Sequence, residues 1–202
     1  MNVIQSDQPD AAIVLAGVFA GGGVAVTPTD TIYGLSAALS SRRGYQRIIE
    51  IKESKPGRQF LYLAGSAEMV RVYIDSWGCA SREDISAIWP APLTGVFRAG
   101  EKCPEWIEDT IAFRVPALEL LRETINMLGE PVISTSVNTS SEPPLYDIEQ
   151  IESRFGKSVD LVVRGKEARR HRPSTIVDFT GSRPIVVRRG AYAWMDMGKP
   201  SN

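Results

Sequence analysis

Short blocks of helical and extended periodicity alternate along the chain. Apolar residues at helical spacing predict helices over residues 9–19, 41–51, 116–128 and 147–155, with one more after Ser66. Short apolar runs between turn-forming residues predict strands at 24–26, 60–63, 111–115, 131–134, 161–163, 175–177 and 185–187. We expect Ser6 or Asp7 to cap the first helix and Gly129 to end the helix that opens at Pro116.

This alternation indicates an α/β fold, in which helices flank a twisted sheet. Because the last strands follow one another without long helices between them, we expect the sheet to be mixed. The run Trp89–Thr94 holds two prolines around one alanine and predicts a rigid loop. Since no repeat or linker is visible, we expect a single domain over residues 1–202, with its core at about 10–192 and a loose tail after Tyr192.

Composition excludes several classes of site. The chain of 202 residues carries 23 Lys and Arg against 24 Asp and Glu, so its net charge of −1 gives no general attraction to nucleic acid. Its one histidine, His171, lies among arginines, which argues against a hydrolase triad, and paired-histidine zinc sites are impossible. Cys79 and Cys103 do not form a secreted disulfide framework and indicate reduced thiols in a cytoplasmic protein.

The uncharged stretch at residues 11–26 does not predict a membrane span. It has sixteen residues and is broken by Gly17 and by the three glycines at 21–23. A transmembrane helix needs about 20 mostly apolar residues. We therefore expect this stretch to form a helix, a turn and a buried strand.

Small hydroxyl and amide residues cluster at the ends of three predicted strands. The clusters occupy residues 28–35, 134–141 and 173–175. Such residues often only make turns. However, ligands of open α/β sheets bind beyond the strand ends, where hydroxyl and backbone N–H groups suit anions and nucleotides. Three such clusters in one small domain predict a binding site.

Basic residues are concentrated in two zones, at 42–58 and 164–189, which suit either a polyanion such as a triphosphate or RNA, or a solvated surface. Arg114 stands apart, since it lies in the apolar strand 111–115, where a buried guanidinium needs an anionic partner. That partner is either a structural carboxylate or a carboxylate or phosphate of a ligand. Walker and GxGxxG motifs are absent from the sequence, so a nucleotide would bind without the common phosphate loops.

Seven motifs occur in the order found in the YrdC-like family, and together they extend over about residues 10–192. They are Thr27–Leu35, Ile51–Lys52, Trp89–Thr94, Phe113–Pro116, Ser134–Asn138, Pro173–Asp178 and Arg188–Gly190. The chain therefore resembles the single-domain form of this family, whose members include threonylcarbamoyl-AMP synthases. The resemblance implies a twisted α/β sheet with a positively charged concave groove.

The resemblance also implies a nucleotidyltransferase reaction. In it, L-threonine, bicarbonate and ATP give threonylcarbamoyl-adenylate and pyrophosphate, for the t6A modification of adenosine 37 in tRNA. It further implies Mg²⁺ bound with ATP and held by few protein ligands, tRNA and t6A-transferase proteins as partners, and no membrane. Charge grows on phosphate oxygens in such a reaction, so catalysis consists mainly of positioning and electrostatic stabilisation.

Residue roles carry over from the same resemblance. The residues expected to bind threonine are Thr31, Arg114, Ser134 and Ser174. The guanidinium of Arg114 would make two parallel hydrogen bonds to the carboxylate. The residues expected to bind ATP are Lys52, Ser54, Arg58, Thr110, Ser136, Asn138 and Arg188. Among the latter, the expected catalytic residues are Lys52, Arg58, Ser136 and Asn138.

The chain departs from the family after its second predicted helix. Members usually read Lys-x-Arg-Pro there, and here Ser54 takes the arginine place, unless a shift of one residue puts Lys55 there. Lys55 or Arg58 could supply the charge but not the same fork, so the resemblance implies an altered phosphate clamp. Thr139 and Ser140 also stand where the family usually has Ser-Gly.

Two other functions stay open from the sequence. A non-enzymatic paralogue would bind tRNA, double-stranded RNA or a nucleotide in the same groove, and the departure at Ser54 is its best support. Carbamoyl transfer to a different acceptor usually comes in a larger multidomain chain with zinc-binding cysteines, and this sequence shows neither. The synthase is the favoured prediction.

Overall fold

One mixed sheet with flanking helices is the core of the computed structural model, which describes residues 2–55, 57–165 and 172–195. The strands are β1 (Asn2–Gln5), β2 (Ala25–Thr27), β3 (Gly34–Ala38), β4 (Leu61–Leu63), β5 (Leu93–Arg98), β6 (Thr110–Arg114), β7 (Val132–Ser136), β8 (Leu161–Arg164), β9 (Thr175–Asp178) and β10 (Ile185–Arg188). The helices are α1 (Ala11–Ala20), α2 (Arg42–Ile51), α3 (Ala67–Arg71), α4 (Arg82–Ile88), α5 (Glu119–Leu128) and α6 (Ile148–Phe155).

The strand order is β1-β8-β2-β3-β7-β4-β6-β5-β9-β10. Four neighbouring pairs are parallel, namely β1–β8, β2–β8, β4–β6 and β5–β9. The other pairs are antiparallel, so the predicted mixed α/β sheet is confirmed. Short connections such as the one between β2 and β3 join antiparallel neighbours, as expected where no crossover helix intervenes.

Apolar side chains fill both faces of the sheet. On one face, α1 and α5 pack through Leu15, Phe19, Leu121 and Ile125, which are almost fully buried. On the other face, a larger cluster includes the stacked rings of Phe97 and Phe179. Burial of this apolar surface contributes roughly 25 cal/mol per Å², so the two layers hold the strand ends in fixed positions.

Local capping explains where several helices begin. The Ser41, Ser66 and Asp147 side chains each accept a hydrogen bond from a backbone N–H three residues on, at the starts of α2, α3 and α6. Gly129 ends α5 with a left-handed φ of 80°, which confirms that prediction. The predicted start of the first helix is wrong: α1 begins after Asp10, whose side chain makes no capping bond.

Three strands escape the sequence pattern. Gly34–Ala38 and Leu93–Arg98 contain small residues and glycine, which have low strand propensity, yet pairing on both sides makes them β3 and β5. The predicted loop Trp89–Thr94 is therefore wrong at its end, where Leu93 and Thr94 begin β5. The third missed strand, β1, pairs only with β8 at the edge.

The chain end is described as far as residue 195. Trp194 packs against Phe179 with ring centroids 5.7 Å apart. Residues 196–202, on which most of the predicted loose tail falls, lie outside the described residues. Within the described ranges, no helix has the length and apolarity needed to cross a bilayer.

Candidate active site

A cavity of about 450 Å³ opens where the three polar clusters meet. Its wall includes Thr29 and Thr31–Gly34 from the first cluster, Ser134–Ser136 from the second, and Pro173 with Ser174 from the third. Residues from all three clusters therefore line one cavity. One detail differs: the third cluster precedes β9 instead of following a strand.

Strand register explains why residues so far apart in sequence converge. β3 and β7 are antiparallel neighbours, so Gly34 at the start of β3 lies opposite Ser136 at the end of β7. In the next pair along, Leu61 of β4 lies opposite Ser134. A Cβ atom at Gly34 would lie 2.7 Å from Oγ of Ser134, so any larger residue here would displace that hydroxyl.

Three arginines give the cavity a positive wall. Arg58, Arg114 and Arg188 line it, and the described lining residues include no Asp or Glu. Burial lowers the pKa of Arg188, and the positive charge of Arg114 lowers it further. Two neighbouring guanidinium groups in a wall whose described lining has no acidic residue favour a bound anion. This arrangement agrees with the expected positively charged groove.

Arg114, at the end of β6, is only 2% exposed. Its Nη1 donates to Oγ1 of Thr31 at 3.0 Å, and its Nη2 lies 3.4 Å from Oδ1 of Asp30. Burial lowers the pKa of this guanidinium, and the Asp30 carboxylate opposes that shift. A structural carboxylate partner is therefore present, and the same guanidinium also lines the open cavity.

The Arg114–Asp30 pair is incompletely hydrogen-bonded. Within the described residues, Nε of Arg114 and both carboxylate oxygens of Asp30 are buried without a hydrogen-bond partner. Buried charged groups are normally fully bonded, because an unmet donor costs about 1–3 kcal/mol or more. Nε is thus the N–H of Arg114 that has no acceptor among the described residues, and it is itself buried, while the guanidinium as a whole lines the cavity.

Hydroxyl groups surround this end of the cavity and are themselves held in place. Ser174 Oγ lies 2.8 Å from Oγ1 of Thr94, and both residues are almost fully buried. Arg188 donates from Nε and Nη2 to the Ser174 carbonyl oxygen at 3.1 and 2.9 Å. Thr29 Oγ1 lies 2.9 Å from Oγ1 of Thr31. The side chains are therefore fixed before any ligand arrives.

Lys52 lies behind the cavity wall instead of in it. Its ammonium donates to the carbonyl oxygens of Ser136 and Asn138 at 2.8 and 3.0 Å, and to Oδ1 of Asn138 at 2.9 Å. These three bonds use all three N–H groups of the ammonium. Burial, and then the positive charge of Arg58, lower the pKa of Lys52 to about 8.

Asn138 is likewise used within the protein. Its Oδ1 accepts from Oγ of Ser136 at 2.6 Å, while its Nδ2 donates to the carbonyl oxygens of Thr139 and Glu142. Hydrogen bonds from Lys52 and Asn138 thus hold the segment after β7 in its conformation. Ser136 is the member of this network that lines the cavity.

The segment after α2 supplies the outer wall. Arg58 is exposed, lines the cavity, and donates from Nη1 to Oγ of Ser140 at 3.1 Å. Ser54 is hydrogen-bonded to Oγ of the same Ser140 and does not line the cavity. Lys55 is exposed and also lies outside the lining. Arg58 is therefore the cation that this segment presents to the cavity.

Most of the expected site residues share this one cavity. Those in its wall are Thr31, Arg58, Thr110, Arg114, Ser134, Ser136, Ser174 and Arg188. Those outside the lining are Lys52, Ser54 and Asn138, each of which bonds to segments that form the wall. His171 and the basic residues at 166–170 lie outside the described residues.

Sequence reasoning missed three residues of the site. Thr94 and Thr29 line the cavity, and Asp30 pairs with Arg114. All three lie in motifs that the sequence singled out, so motif membership was the available signal. The carboxylate of Asp30 could not be assigned to Arg114 from a separation of 84 positions in the chain.

The described cavity wall offers hydroxyl groups but no carboxylate to a metal ion. Mg²⁺ prefers oxygen ligands and usually binds through a few carboxylates together with substrate phosphates. In the described ranges, no three His, Cys, Asp or Glu side chains come together to hold a metal.

Comparison with known proteins identifies the family. The model of the family Sua5_yciO_yrdC, described as "Telomere recombination", matches residues 18–190. This chain belongs to that family. A threonylcarbamoyl-AMP synthase of Vibrio campbellii is 29% identical over 174 residues, which cover 84% of this chain and 93% of that protein. The Klebsiella pneumoniae threonylcarbamoyl-AMP synthase is 32% identical over 156 residues, covering 75% and 82%.

Solved structures agree with this assignment. The P. abyssi Sua5 structure complexed with L-threonine superposes with a TM-score of 0.83 at 26% identity, over 94% of this chain and 57% of that one. This chain thus spans less than two thirds of the length of that Sua5 chain. E. coli YciO superposes with a TM-score of 0.79 at 27% identity, over 94% of both chains.

Proposed function

We propose that this protein is an L-threonylcarbamoyladenylate synthase. The observation that carries the proposal is the convergence of Arg114, Arg188 and Arg58 on one hydroxyl-lined cavity. Membership of the family, and the synthase names of relatives matched over most of their length, support it. The enzyme would be a nucleotidyltransferase that uses L-threonine, bicarbonate and ATP.

The buried end of the cavity is the proposed threonine site. Arg114 would bind the carboxylate through its guanidinium, which lines the cavity. The hydroxyls of Thr31, Ser134 and Ser174 would orient the amino acid, and those of Thr31 and Ser174 are already held by neighbouring hydroxyls. The P. abyssi Sua5 structure, which contains L-threonine, supports an amino-acid site in this fold.

The open end is the proposed nucleotide site. Arg58 would bind phosphate oxygens, and Arg188 and Thr110 would lie along the same wall. Lys52 and Asn138 would act by holding the segment that presents the Ser136 hydroxyl. Mg²⁺ would enter with ATP and neutralise part of the phosphate charge.

The chemistry requires positioning more than a nucleophilic side chain. The uncharged threonine amine attacks the carbon of bicarbonate or of CO2 derived from it, giving a carbamate with loss of water. A carbamate oxygen then attacks the α-phosphorus of ATP, and pyrophosphate leaves. Negative charge builds on phosphate oxygens in this step, where Arg58 and Arg188 would stabilise it.

The product would serve the t6A modification of tRNA, with tRNA and the t6A-transferase proteins as further partners. Both cysteines of the described chain are free thiols, and we place the reaction in the cytoplasm on that basis.

Pyrophosphate release tests the proposal. The protein is incubated with ATP, Mg²⁺, bicarbonate and threonine, and each component is omitted in turn. We expect release that requires both threonine and bicarbonate. Tight RNA binding without threonine-dependent release would instead support a non-enzymatic paralogue, and release that ignores threonine would overturn the proposed synthase.

A further inference from the structure

Ser140 joins two segments at the open end of the cavity. Its Oγ is hydrogen-bonded to Oγ of Ser54 and accepts from Nη1 of Arg58 at 3.1 Å. Its backbone N–H donates to the carbonyl oxygen of Lys52 at 2.8 Å. The segment after β7 is therefore connected at three points to the segment after α2.

The chemistry of the two side chains fixes the direction of one bond. A guanidinium only donates hydrogen bonds, whereas a serine hydroxyl has one donor and two acceptor positions. Ser140 must therefore accept from Arg58, and it can still bond to Ser54 at the same time. An alanine at this position would lose both side-chain bonds and keep the backbone bond to Lys52.

Arg58 is fixed at its backbone as well as at its guanidinium. The Tyr45 hydroxyl donates to the Arg58 carbonyl oxygen at 3.5 Å. The chain turns just before this residue, where Gly57 has a φ of 80°, a conformation that favours glycine. The side chain would otherwise rotate freely, because Arg58 is exposed and its rotamer freedom is worth roughly 2 kcal/mol.

Arg58 lies close enough to Lys52 for its positive charge to contribute to the lowered pKa of that lysine. An arginine that is already oriented toward an anion loses less freedom on binding, which increases affinity.

From this geometry we infer that Ser140 is a positioning residue that holds Arg58 ready for the phosphates of ATP. The inference rests on the proposed function, since it deepens the role of the same cavity. It also gives a role to Ser54, which does not line the cavity and whose hydroxyl is hydrogen-bonded to Ser140.

The test compares Ser140→Ala with a matched control, Ser141→Ala. Ser141 is exposed and makes no hydrogen bond within the part of the chain that the structure describes. We expect Ser140→Ala to raise the KM for ATP about threefold to tenfold, the usual effect of losing one net hydrogen bond, and to change the KM for threonine less than twofold. Ser141→Ala should leave both unchanged.

Two further variants separate positioning from a general structural effect. Ser140→Thr keeps the hydroxyl and should restore the KM for ATP to within twofold of the original value. In an Arg58→Ala background, Ser140→Ala should have no additional effect on ATP, because the group that it positions is gone. An equal, additive effect in that background would overturn the inference.

A binding measurement distinguishes this inference from the proposed function. Calorimetric titration with a non-hydrolysable ATP analogue reports affinity without turnover. Weaker analogue binding by Ser140→Ala supports the inference even if no pyrophosphate is released. Unchanged binding by that variant in an active enzyme overturns the inference alone, and failure of the unmodified protein to bind the analogue overturns both.

Discussion

The two ends of the cavity are built in different ways. At the proposed threonine end, Arg114 is 2% exposed, ends a strand in the middle of the sheet, and is paired with Asp30. At the proposed nucleotide end, Arg58 is exposed, lies in a connecting segment, and is hydrogen-bonded to Ser140. The first arginine is fixed by the core and the second by a few surface hydrogen bonds.

The proposed function gives the two ends different tasks. A small amino acid must be distinguished from others of similar size, which favours groups held in a rigid, desolvated pocket. A triphosphate with its magnesium ion is large and must enter and leave, which favours exposed segments with weaker local structure. Substitutions at the two ends should therefore have separable effects on the two substrates.

The largest effect is expected at Arg114. Truncating one member of a buried charge pair costs about 2–5 kcal/mol, so Arg114→Ala should raise the KM for threonine at least about thirtyfold and leave the KM for ATP far less changed. Pyrophosphate release at varied concentrations of each substrate measures both constants. Equal effects on both would contradict the assignment of Arg114 to the amino-acid carboxylate.

Arg114→Ala also leaves Asp30 buried without its cation, which can lower stability by about 3–5 kcal/mol. Arg114→Lys keeps the charge and removes the planar fork. This second variant should remain folded, as judged by urea denaturation, and should still raise the KM for threonine selectively.

An intermediate effect is expected from Gly190→Ala. A Cβ atom there would lie 2.3 Å from the Pro173 carbonyl oxygen and 2.3 Å from the Ser174 carbonyl carbon, so backbone beside the cavity must move. We expect a loss of about 1–3 kcal/mol in the free energy of unfolding and a higher KM for threonine. Gly181→Ala is the matched control, since its nearest neighbour would be 3.9 Å away.

Urea unfolding and steady-state kinetics measure both consequences of Gly190→Ala. If this variant were as stable and as active as Gly181→Ala, the backbone around Ser174 could move at no cost. That result would contradict the proposed rigidity of this end of the cavity.

The smallest effect is expected from pH at Lys52. Its pKa lies at about 8 in the folded protein, against an ordinary value of 10.5. Between these values the unfolded chain binds one more proton than the folded chain, so the contribution of Lys52 to stability rises with pH over this window. In the same window, loss of an ammonium proton weakens the hold on Ser136 and Asn138, and kcat/KM for ATP should fall.

Comparison with Lys52→Met isolates this contribution. Urea unfolding of both proteins at several pH values from 7 to 10.5 should show the difference between them increasing above pH 8 in favour of the unmodified protein. Parallel pH profiles would show that Lys52 is not the group that titrates.

The same contrast explains what the sequence could and could not predict. Short-range signals sufficed for α2, where Ser41 supplies the cap, and for the end of α5 at Gly129, although α5 begins at Glu119 and not at Pro116 as predicted. They failed for β3, because its small residues become a central strand only through pairing on both sides. Such a strand forms because distant strands pair with it, and the strand propensity of its own residues does not reveal this pairing.

Prediction of the site shows the same limit. Motifs correctly brought Arg114 and Ser174 to one cavity, because strand ends converge in an α/β sheet. They did not predict that Asp30 would pair with Arg114, or that the Lys52 ammonium would be hydrogen-bonded to the end of β7 and the segment after it. Those roles depend on which acceptors lie within about 3 Å, and spacing in the sequence does not determine this.

Pairing between β3 and β7 has a consequence for how this scaffold can vary. A slip of one residue between them would turn Ser134 and Ser136 to the opposite face of the sheet and remove both hydroxyls from the cavity. The connection after α2 is not part of a strand pair, so its length and charge can change without altering the pairing of any strands. Changes in this segment would therefore alter the contacts proposed for the nucleotide and leave the amino-acid end of the cavity in place.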